Sequence, residues 1–344
     1  MPVTDVERVT SLQDLANLAG ISRSTASRAL NDNPRISKET RRKVKELAQA
    51  HGFVVNRRAR DLRLQRTHVI SVVLMIDMRS RQHMSDLFFM EMLGAIADAS
   101  AAQDYDLLLS HTPYAENLEE TIARIARRSD GLIIVGQERQ HHRLNTFADS
   151  GKPFIVWGQS VPSKRYPVVG IDNFEGGKMV TRELIETGRQ KIAFFGGVDN
   201  PELEARFEGY KAALAEGGMK FDPQLHFDVP FSMKEAQVAI EELLKRRSDF
   251  DAVVCLSDVM AMATVAALKN YGLRVPDDVA VTGYDDIGLA AFTSPPLTTV
   301  SQSIGTAGEA LVNGLIAMIN GDKVSDTRLP ARLIVRESSR AAKV

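Results

Sequence analysis

Cysteine is nearly absent from this sequence. Cys255 stands alone, so no internal disulfide can form, and no grouping of side chains has the spacing of a zinc site. Long apolar runs are missing too: the longest, such as residues 69–76, fall far short of the ~20 residues that a bilayer-spanning helix needs. Residues 1–5, MPVTD, lack the basic flank and apolar stretch of a secretory signal, so the expectation is a soluble, cytoplasmic protein. There is no P-loop, no Gly-x-Gly-x-x-Gly turn after a strand and no His-Glu-x-x-His pattern. No two carboxylates pair at a spacing that suits acid–base catalysis. The pair His141 and His142 falls in a polar helical stretch without a matching carboxylate cluster, and Cys255 sits in an apolar strand where it reads as an inert core thiol. These absences speak against an enzyme, a metal site, a cofactor and a membrane protein.

A strong charge of one sign also looks absent, because the net is −1, but the average conceals a division. Residues 1–66 hold fourteen Lys and Arg against seven Asp and Glu, a net of +7, which leaves −8 on residues 67–344. A basic head on an acidic body points to an anionic partner for the head, with a solvated basic face as the bland reading. The length of 344 residues, with 44% hydrophobic and 25% charged residues, is enough for at least two folding units with sizeable cores.

Three short helices are predicted in the head. The first opens at Ser11, with Asp14 as a capping acid, and turns Leu12, Leu15, Ala16 and Ala19 to one face until Gly20 breaks it. Ser22 caps the second, 23–30, which buries Ala26, Ala29 and Leu30. Two eight-residue helices around a glycine turn have helix-turn-helix spacing, and Ala16 and Ala26 are small enough to let them approach closely. The third follows Pro34, is capped by Ser37 and ends near Gly52, with Val44, Leu47 and Ala48 inward and Arg41, Arg42, Lys43 and Lys45 largely outward. The second helix carries Arg23, Ser24, Thr25, Ser27 and Arg28, the residue types that meet base edges and phosphates when such a helix enters the major groove.

The runs SLQDLANLAGISRSTASRALN from Ser11, ISKETRRKV from Ile36 and GFVVNRRARDL from Gly52 closely resemble the headpiece of the lac repressor (LacI/GalR) family. One departure is Ala26, where the family more often has Val. The resemblance implies DNA contacts from Ser11, Ser22, Arg23, Ser24, Thr25, Ser27, Arg28 and Asn31. It further implies that 56–62 is a hinge helix ordered only when two protomers sit on DNA. There Asn56, Arg57 and Ala59 would lie against the duplex, Leu62 would wedge into the minor groove, and Arg58, Arg60 and Arg63 would neutralise phosphates.

Beyond His68 the pattern alternates between strand and helix. Apolar strands are predicted at 69–76, 107–109, 132–135, 154–157, 192–195, 252–256, 279–282 and 329–336. Helices are predicted at 88–102, 118–127, 176–186, 205–215, 234–245 and 259–271. Buried strands joined by helical crossovers make parallel, doubly wound sheets. About 270 residues exceed one such sheet, so two lobes are expected, with a break near 168–172 and a cleft beyond the strands' carboxyl ends.

The pieces SDLFF from Ser85, GIDNFEG from Gly170, RFEGY from Arg206, Ser257-Asp258, GYDD from Gly283 and PLTTV from Pro296 extend the resemblance along the family's core, a periplasmic-binding-protein-like architecture. The fold class implied is α/β: an all-α helix-turn-helix headpiece plus two doubly wound parallel-sheet lobes. The implied divisions are a headpiece at 1–54, a hinge and linker at 55–67, and a core at 68–344. Within the core, lobe 1 would be about 68–170 with 303–328 and lobe 2 about 171–300 with 329–340. Implied effector contacts are Asp86, Phe88 and Phe89 from the first lobe and Arg206, Phe231 and Asp285 from the second. Ser257 stands where the family often has Asn; Trp157 and Gln159 close a strand; Asp172, Asn173 and Glu175 lie at the lobe crossing. Each has a bland role: the three phenylalanines as core, Arg206 as a surface residue, Asp285 and Asp258 as helix caps.

Aromatic faces suit the C–H face of a sugar ring, while carboxylates and an Arg suit its hydroxyls. The expected function is a homodimeric transcription regulator, a repressor of carbohydrate-utilisation genes. It would read a near-palindromic operator and answer to a sugar-like effector between the lobes. A purine or sugar-phosphate corepressor on the same architecture is the alternative, and a free sugar-binding protein of an uptake system is the distant one. Residues 340–344 are too short for a tetramerising heptad tail, so a dimer is the expected assembly.

Overall fold

A computed structural model describes residues 9, 11–30, 32–53, 66–76, 82–113, 118–137, 140–247 and 249–340. The chain divides into two compact units, Met1–Thr67 and His68–Val344.

Among the described residues the first unit holds three helices, α1 (Leu12–Ala19), α2 (Arg23–Leu30) and α3 (Lys38–Ala50). At the start of α1 the Ser11 hydroxyl accepts from the Asp14 N–H at 3.2 Å, and the Asp14 carboxylate accepts from the Ser11 N–H at 2.9 Å. This reciprocal box satisfies two of the helix's orphan donors. Gly20 ends the helix at φ +68°, a conformation that a side chain resists. Ser22 accepts from the Thr25 N–H at 3.1 Å to start α2, and Ser37 accepts from the Thr40 N–H at 3.1 Å to start α3. Val9, Leu15, Ala19, Ala29, Val44 and Ala48 form a small core of their own. Ala16 and Ala26 are fully buried, as their size suggests. Arg42, Lys43 and Lys45 are exposed and Arg41 half-exposed, and two of these cations meet Asp32 at the turn after α2. Lys45 pairs with the Asp32 carboxylate at 2.6 Å, and the Arg41 guanidinium donates to the Asp32 carbonyl at 3.1 Å. Asp32 has φ +53°, and the Lys45 ammonium holds its carboxyl below the usual range.

The second unit contains two parallel sheets. In the first, β1 (Val69–Ile76), β2 (Asp106–Pro113), β3 (Gly131–Val135), β4 (Phe154–Trp157), β5 (Val168–Ile171) and β11 (Thr327–Leu329) run in the order β11-β5-β4-β3-β1-β2. β1 pairs with β2 from Val69 opposite Asp106 to Ile76 opposite Pro113, and with β3 from Ile70 opposite Gly131. Both faces of β1 are covered: Ile70, Val72, Leu74 and Ile76 enter one core, Val73 and Met75 another. That is why the strand reads as an unbroken apolar run. The second sheet has the order β7-β6-β8-β9, from β6 (Ile192–Phe195), β7 (His226–Phe227), β8 (Ala252–Cys255) and β9 (Ala280–Thr282).

Eight helices cover the sheets among the described residues: α4 (Leu87–Ala101), α5 (Leu118–Ala126), α6 (His141–Ala148), α7 (Asn173–Glu186), α8 (Pro201–Glu216), α9 (Met233–Arg246), α10 (Asp258–Asn270) and α11 (Ile304–Ile319). α7 and α8 pack so tightly that a Cβ on Gly177 would fall 2.1 Å from the Arg206 carbonyl oxygen, and one on Gly209 would fall 2.0 Å from that of Phe174. α11 returns to pack on α4 and on β3 and β4 of the first sheet. The stretch 329–336 is not the single strand expected. Thr327–Leu329 joins the first sheet beside β5, whereas β12 (Arg332–Ile334) pairs antiparallel with β10 (Thr299–Ser301). Pro330, which has no N–H to give a ladder, separates the two strands.

The chain end straps onto the second sheet. The Val281 N–H donates to the Ser338 carbonyl at 2.9 Å, the Ser338 hydroxyl donates to the Val281 carbonyl at 2.6 Å, and the buried Glu183 receives Ser339 at 2.8 Å. The chain therefore passes between sheets near Asp172, near Ser303 and near Pro330.

Candidate functional sites

In the first unit, α2 leaves Arg23, Ser24 and Arg28 exposed and Thr25 and Ser27 half-exposed, while Ala26 and Ala29 face the core. The hydroxyls of Ser22, Ser24 and Thr25 stand together at the helix start, with Ser22 2.9 Å from Ser24 and 2.8 Å from Thr25. A helix that turns Ala26, Ala29 and Leu30 to the core and presents two arginines and several hydroxyls on the other side can offer donors to phosphates and base edges. Ser11 is exposed at the start of α1, where it also caps that helix. Asn31, Asn56, Arg57, Arg58, Ala59, Arg60, Leu62 and Arg63 lie outside the described residues.

In the second unit, the carboxyl ends of the first sheet's strands open onto a cleft of about 100 Å³. Met75 from β1, Val135 and Gly136 from β3, Trp157 and Gly158 from β4 and Ile171 from β5 line it on that side. Asp86, Phe88 and Phe89 come from the start of α4. Asp86 caps that helix by accepting from the Phe88 N–H at 3.0 Å, which points Phe88 toward Trp157 with ring centres 6.5 Å apart. From the other sheet come Asn200, Glu202, Leu203 and Arg206 of the α8 region, Phe231 before α9, Ser257 after β8 and Asp285 after β9; Gln302 joins from the crossing strand.

Arg206 is only 7% exposed. Its guanidinium lies 3.6 Å over the Tyr284 ring, donates to Asn173 Oδ1 at 2.9 Å and donates to the Leu256 carbonyl at 2.7 Å. The Asn173 amide in turn donates to Gln159 Oε1 at 3.0 Å, and the Gln137 amide donates to the Gln159 carbonyl at 2.7 Å. A continuous line of hydrogen bonds thus crosses behind the cleft from one sheet to the other, fixing Arg206 from both sides. Asp285 is held at φ +120°, a region costing a non-glycine residue ~1–3 kcal/mol, and accepts from the Gln302 amide at 2.5 Å.

Three carboxyls, Asp86, Glu202 and Asp285, share the cleft lining with this guanidinium, whose charge acts on Glu202 and Asp285. Burial raises all three above the ordinary carboxyl range, Glu202 to about 7 and Asp285 well above it, with the Arg206 charge opposing the rise at both. Oε2 of Glu202 and Oε1 of Gln137 are buried without a hydrogen-bond partner. The cleft is consequently rich in acceptors, with apolar ring faces beside them.

Two family profiles match the chain: bacterial regulatory proteins of the lacI family over residues 11–56, and a periplasmic-binding-protein-like domain over residues 181–339. The HTH-type transcriptional regulator CelR of Thermobifida fusca is 32% identical over 334 residues, covering 95% of this chain and 98% of that one. The chain belongs to the LacI family. The solved structure of a transcriptional regulator CelR–cellobiose complex superposes with a TM-score of 0.71 at 31% identity, covering 95% of this chain and 99% of that one. A lac repressor dimer bound to operator and the anti-inducer ONPF shares the fold, with a TM-score of 0.81 at 23% identity over 96% of this chain and 99% of that one. The family resemblance and the α/β architecture expected from the sequence both stand, and the protein is a DNA-binding transcriptional regulator.

Of the positions that the LacI resemblance singled out, Asp86, Phe88, Phe89, Trp157, Asn173, Arg206, Phe231, Ser257 and Asp285 gather at the cleft. Gln159, Asp172 and Glu175 stand behind its lining. Gln159 orients Asn173, Asp172 caps α7 and pairs with Arg328, and Glu175 lies in the first turn of α7. Among the bland alternatives, Arg206 is no surface residue and Asp285 caps no helix. Ser257 caps α10, accepting from the Met260 N–H at 3.2 Å, so Asp258 is free for another task. The Asp258 carboxyl receives the Thr299 hydroxyl at 2.5 Å and the Ile287 N–H at 2.9 Å, and burial pushes it up to about 7.

Glu202, Gln302, Asn200 and Gln137 escaped the sequence reading. An acid in the first turn of a helix looks like an ordinary dipole partner, and nothing local marks a lone Gln. Gly136 and Gly158 could have been found from the rule that ligands bind beyond the carboxyl ends of parallel strands.

Proposed function

We propose that this regulator is a homodimeric repressor of carbohydrate-utilisation genes, released or engaged by a small neutral sugar in the cleft between the two sheets. The observation that carries the reading is the cleft's composition: Phe88, Trp157 and Phe231 for ring faces, with three carboxyls and one pinned guanidinium for hydroxyls. Anionic effectors are disfavoured because the one cation in the lining, Arg206, is already engaged by Asn173, the Leu256 carbonyl and the Tyr284 ring, while the other titratable groups there are carboxyls.

In the proposed division, 1–54 is the reading head, 55–67 a hinge and linker, and 68–344 the sensing core. Arg23, Ser24, Thr25 and Arg28 would read the major groove, Ser11, Ser22, Ser27, Asn31, Asn56 and Arg57 would hold the backbone, and Leu62 with Ala59 would open the minor groove at the dyad. A homodimer suits a near-palindromic operator. It is supported by an exposed apolar patch on the turn Gly288–Phe292, where Leu289 is 51% and Phe292 84% exposed. The Gly288 N–H donates to Glu91 of α4 at 2.7 Å, so that turn is tied to the helix whose first residues line the cleft. A ligand that changes the closure of the sheets would thereby shift the operator equilibrium, and operator would shift ligand affinity by the same factor.

The reading is tested by thermal unfolding against neutral sugars, sugar phosphates and nucleobases, followed by operator binding with any stabilising ligand. A neutral sugar should stabilise by about 2.7 kcal/mol at a hundred times its Kd and change operator affinity ~5–150-fold. Stabilisation only by nucleobases or sugar phosphates would reject it.

A further inference from the structure

The cleft does not end at Asp86 and Phe231. Both side chains also wall a second cavity of about 210 Å³ that continues outward between the start of α4 and the start of α9. Its polar lining includes His83, Ser232 and Lys234, and its apolar lining includes Met233, which is substantially exposed. Ser232 opens α9 but makes no capping bond with its hydroxyl, so that group is not committed to its own helix.

Resting on the sugar reading, we propose that the outer cavity is a second ring subsite, and that the effector is an oligosaccharide of at least two pyranose units rather than a monosaccharide. Asp86 suits the junction. A carboxylate offers about four acceptor positions, and the Phe88 N–H occupies one, leaving others for hydroxyls on either side of a glycosidic bond. Phe231, shared by both cavities, presents an aromatic surface to the C–H groups at the same junction, and Met233 extends the apolar contact outward. His83, Ser232 and Lys234 supply the mixed donors and acceptors that ring hydroxyls need.

A phosphate on a single inner ring is the competing occupant, since Lys234 and the start of α9 would both favour an anion. The carboxyls decide against it: Asp86 stands at the junction, and Glu235 already occupies the first turn of α9. The outer cavity therefore has no surplus of positive charge.

The test is calorimetric titration of the full-length protein with glucose, cellobiose, maltose and glucose 6-phosphate, repeated on Ser85→Trp and Lys234→Ala. Ser85 is an exposed turn residue lining only the outer cavity. One or both disaccharides should bind at least tenfold more tightly than glucose. Ser85→Trp should erase that advantage while glucose affinity stays within twofold, and Lys234→Ala should weaken only the disaccharide, about threefold. Glucose binding as tightly as both disaccharides, or both variants weakening glucose and disaccharide alike, would overturn the subsite and leave the sugar reading intact. Tightest binding of glucose 6-phosphate would overturn it in favour of a phosphate pocket. If none of the neutral sugars binds, the sugar reading falls and the second ring with it.

Discussion

Arg206 illustrates how one buried charge is made affordable. Its guanidinium is stacked on Tyr284 and hydrogen-bonded to Asn173 and the Leu256 carbonyl, and Asn173 is itself held by Gln159. Arg206→Ala should weaken effector binding at least tenfold and also cost the core on the order of 3 kcal/mol, because Asn173 and the carbonyl lose their donor. Calorimetry and urea unfolding separate the two effects. Arg206→Lys should recover little, since an ammonium cannot stack on Tyr284 while reaching both acceptors in one plane.

Glu202 makes the opposite point. Its carboxyl is raised from 4.5 to about 7 by burial, so the folded state resists ionisation that the unfolded chain accepts. The sign follows directly: this contribution to stability is fully present below about pH 4.5 and is lost as pH rises through about 7. Wild-type protein should therefore lose stability from pH 5 to pH 8, with about 2 kcal/mol of the loss belonging to Glu202. Asp258 and Asp285, raised likewise by burial, lose in the same direction. Glu202→Gln should flatten its part of the slope in urea titrations; an unchanged slope would show that Glu202 ionises freely.

At the scale of elements, α2 is the sharpest case. Its fully buried residues are only Ala26 and Ala29, with Leu30 packed part-buried beside them, so Ala26→Leu should overpack the head against α1 and α3 and cost it about 1–3 kcal/mol, seen as early melting of operator binding while effector binding persists. Arg23→Ala should instead leave melting unchanged and lower operator affinity. These head elements were legible in the sequence because capping residues and glycines punctuate them. β1 was equally plain, because a strand covered on both faces must be apolar throughout.

Other elements were misjudged for identifiable reasons. α8 begins at Pro201 rather than 205: Asn200 as cap, proline at the first turn and Glu202 and Glu204 behind it form a helix start that the apolar spacing alone does not reveal. α7 begins at Asn173 rather than 176, since Asp172 acts as its cap. Strands of two or three residues, such as β7, β10 and β12, are too short to show any period. At the cleft, side chains with an obvious chemical label could be read in advance. Gln302 could not, because its role exists only through the left-handed backbone at Asp285 that brings the two together.

For the whole molecule, the charge division and the exposed turn carry the predictions. Protein lacking residues 1–66 should bind effector and lose operator, and retained operator binding would contradict the proposed division. Operator affinity of the full chain should fall steeply with salt, as phosphate contacts by the +7 head require. Phe292→Asp should shift sedimentation toward the monomer and weaken operator binding, while sugar affinity per chain changes little. An unchanged dimer would move the proposed interface elsewhere.

The return of α11 and β11 to the first sheet has a consequence for how the protein is made. The head is contiguous and carries its own core, so it can fold as soon as it leaves the ribosome. The first sheet has to wait. Its β11 edge and α11 cover are translated long after β1 to β5, and the second sheet needs the strap at Ser338 and Ser339. At ordinary elongation rates a finished reading head precedes any finished sensor by roughly 15–60 s. During synthesis the nascent chain thus displays a DNA-seeking module with no effector control attached, and it is held singly, without the second copy that a two-fold operator would require.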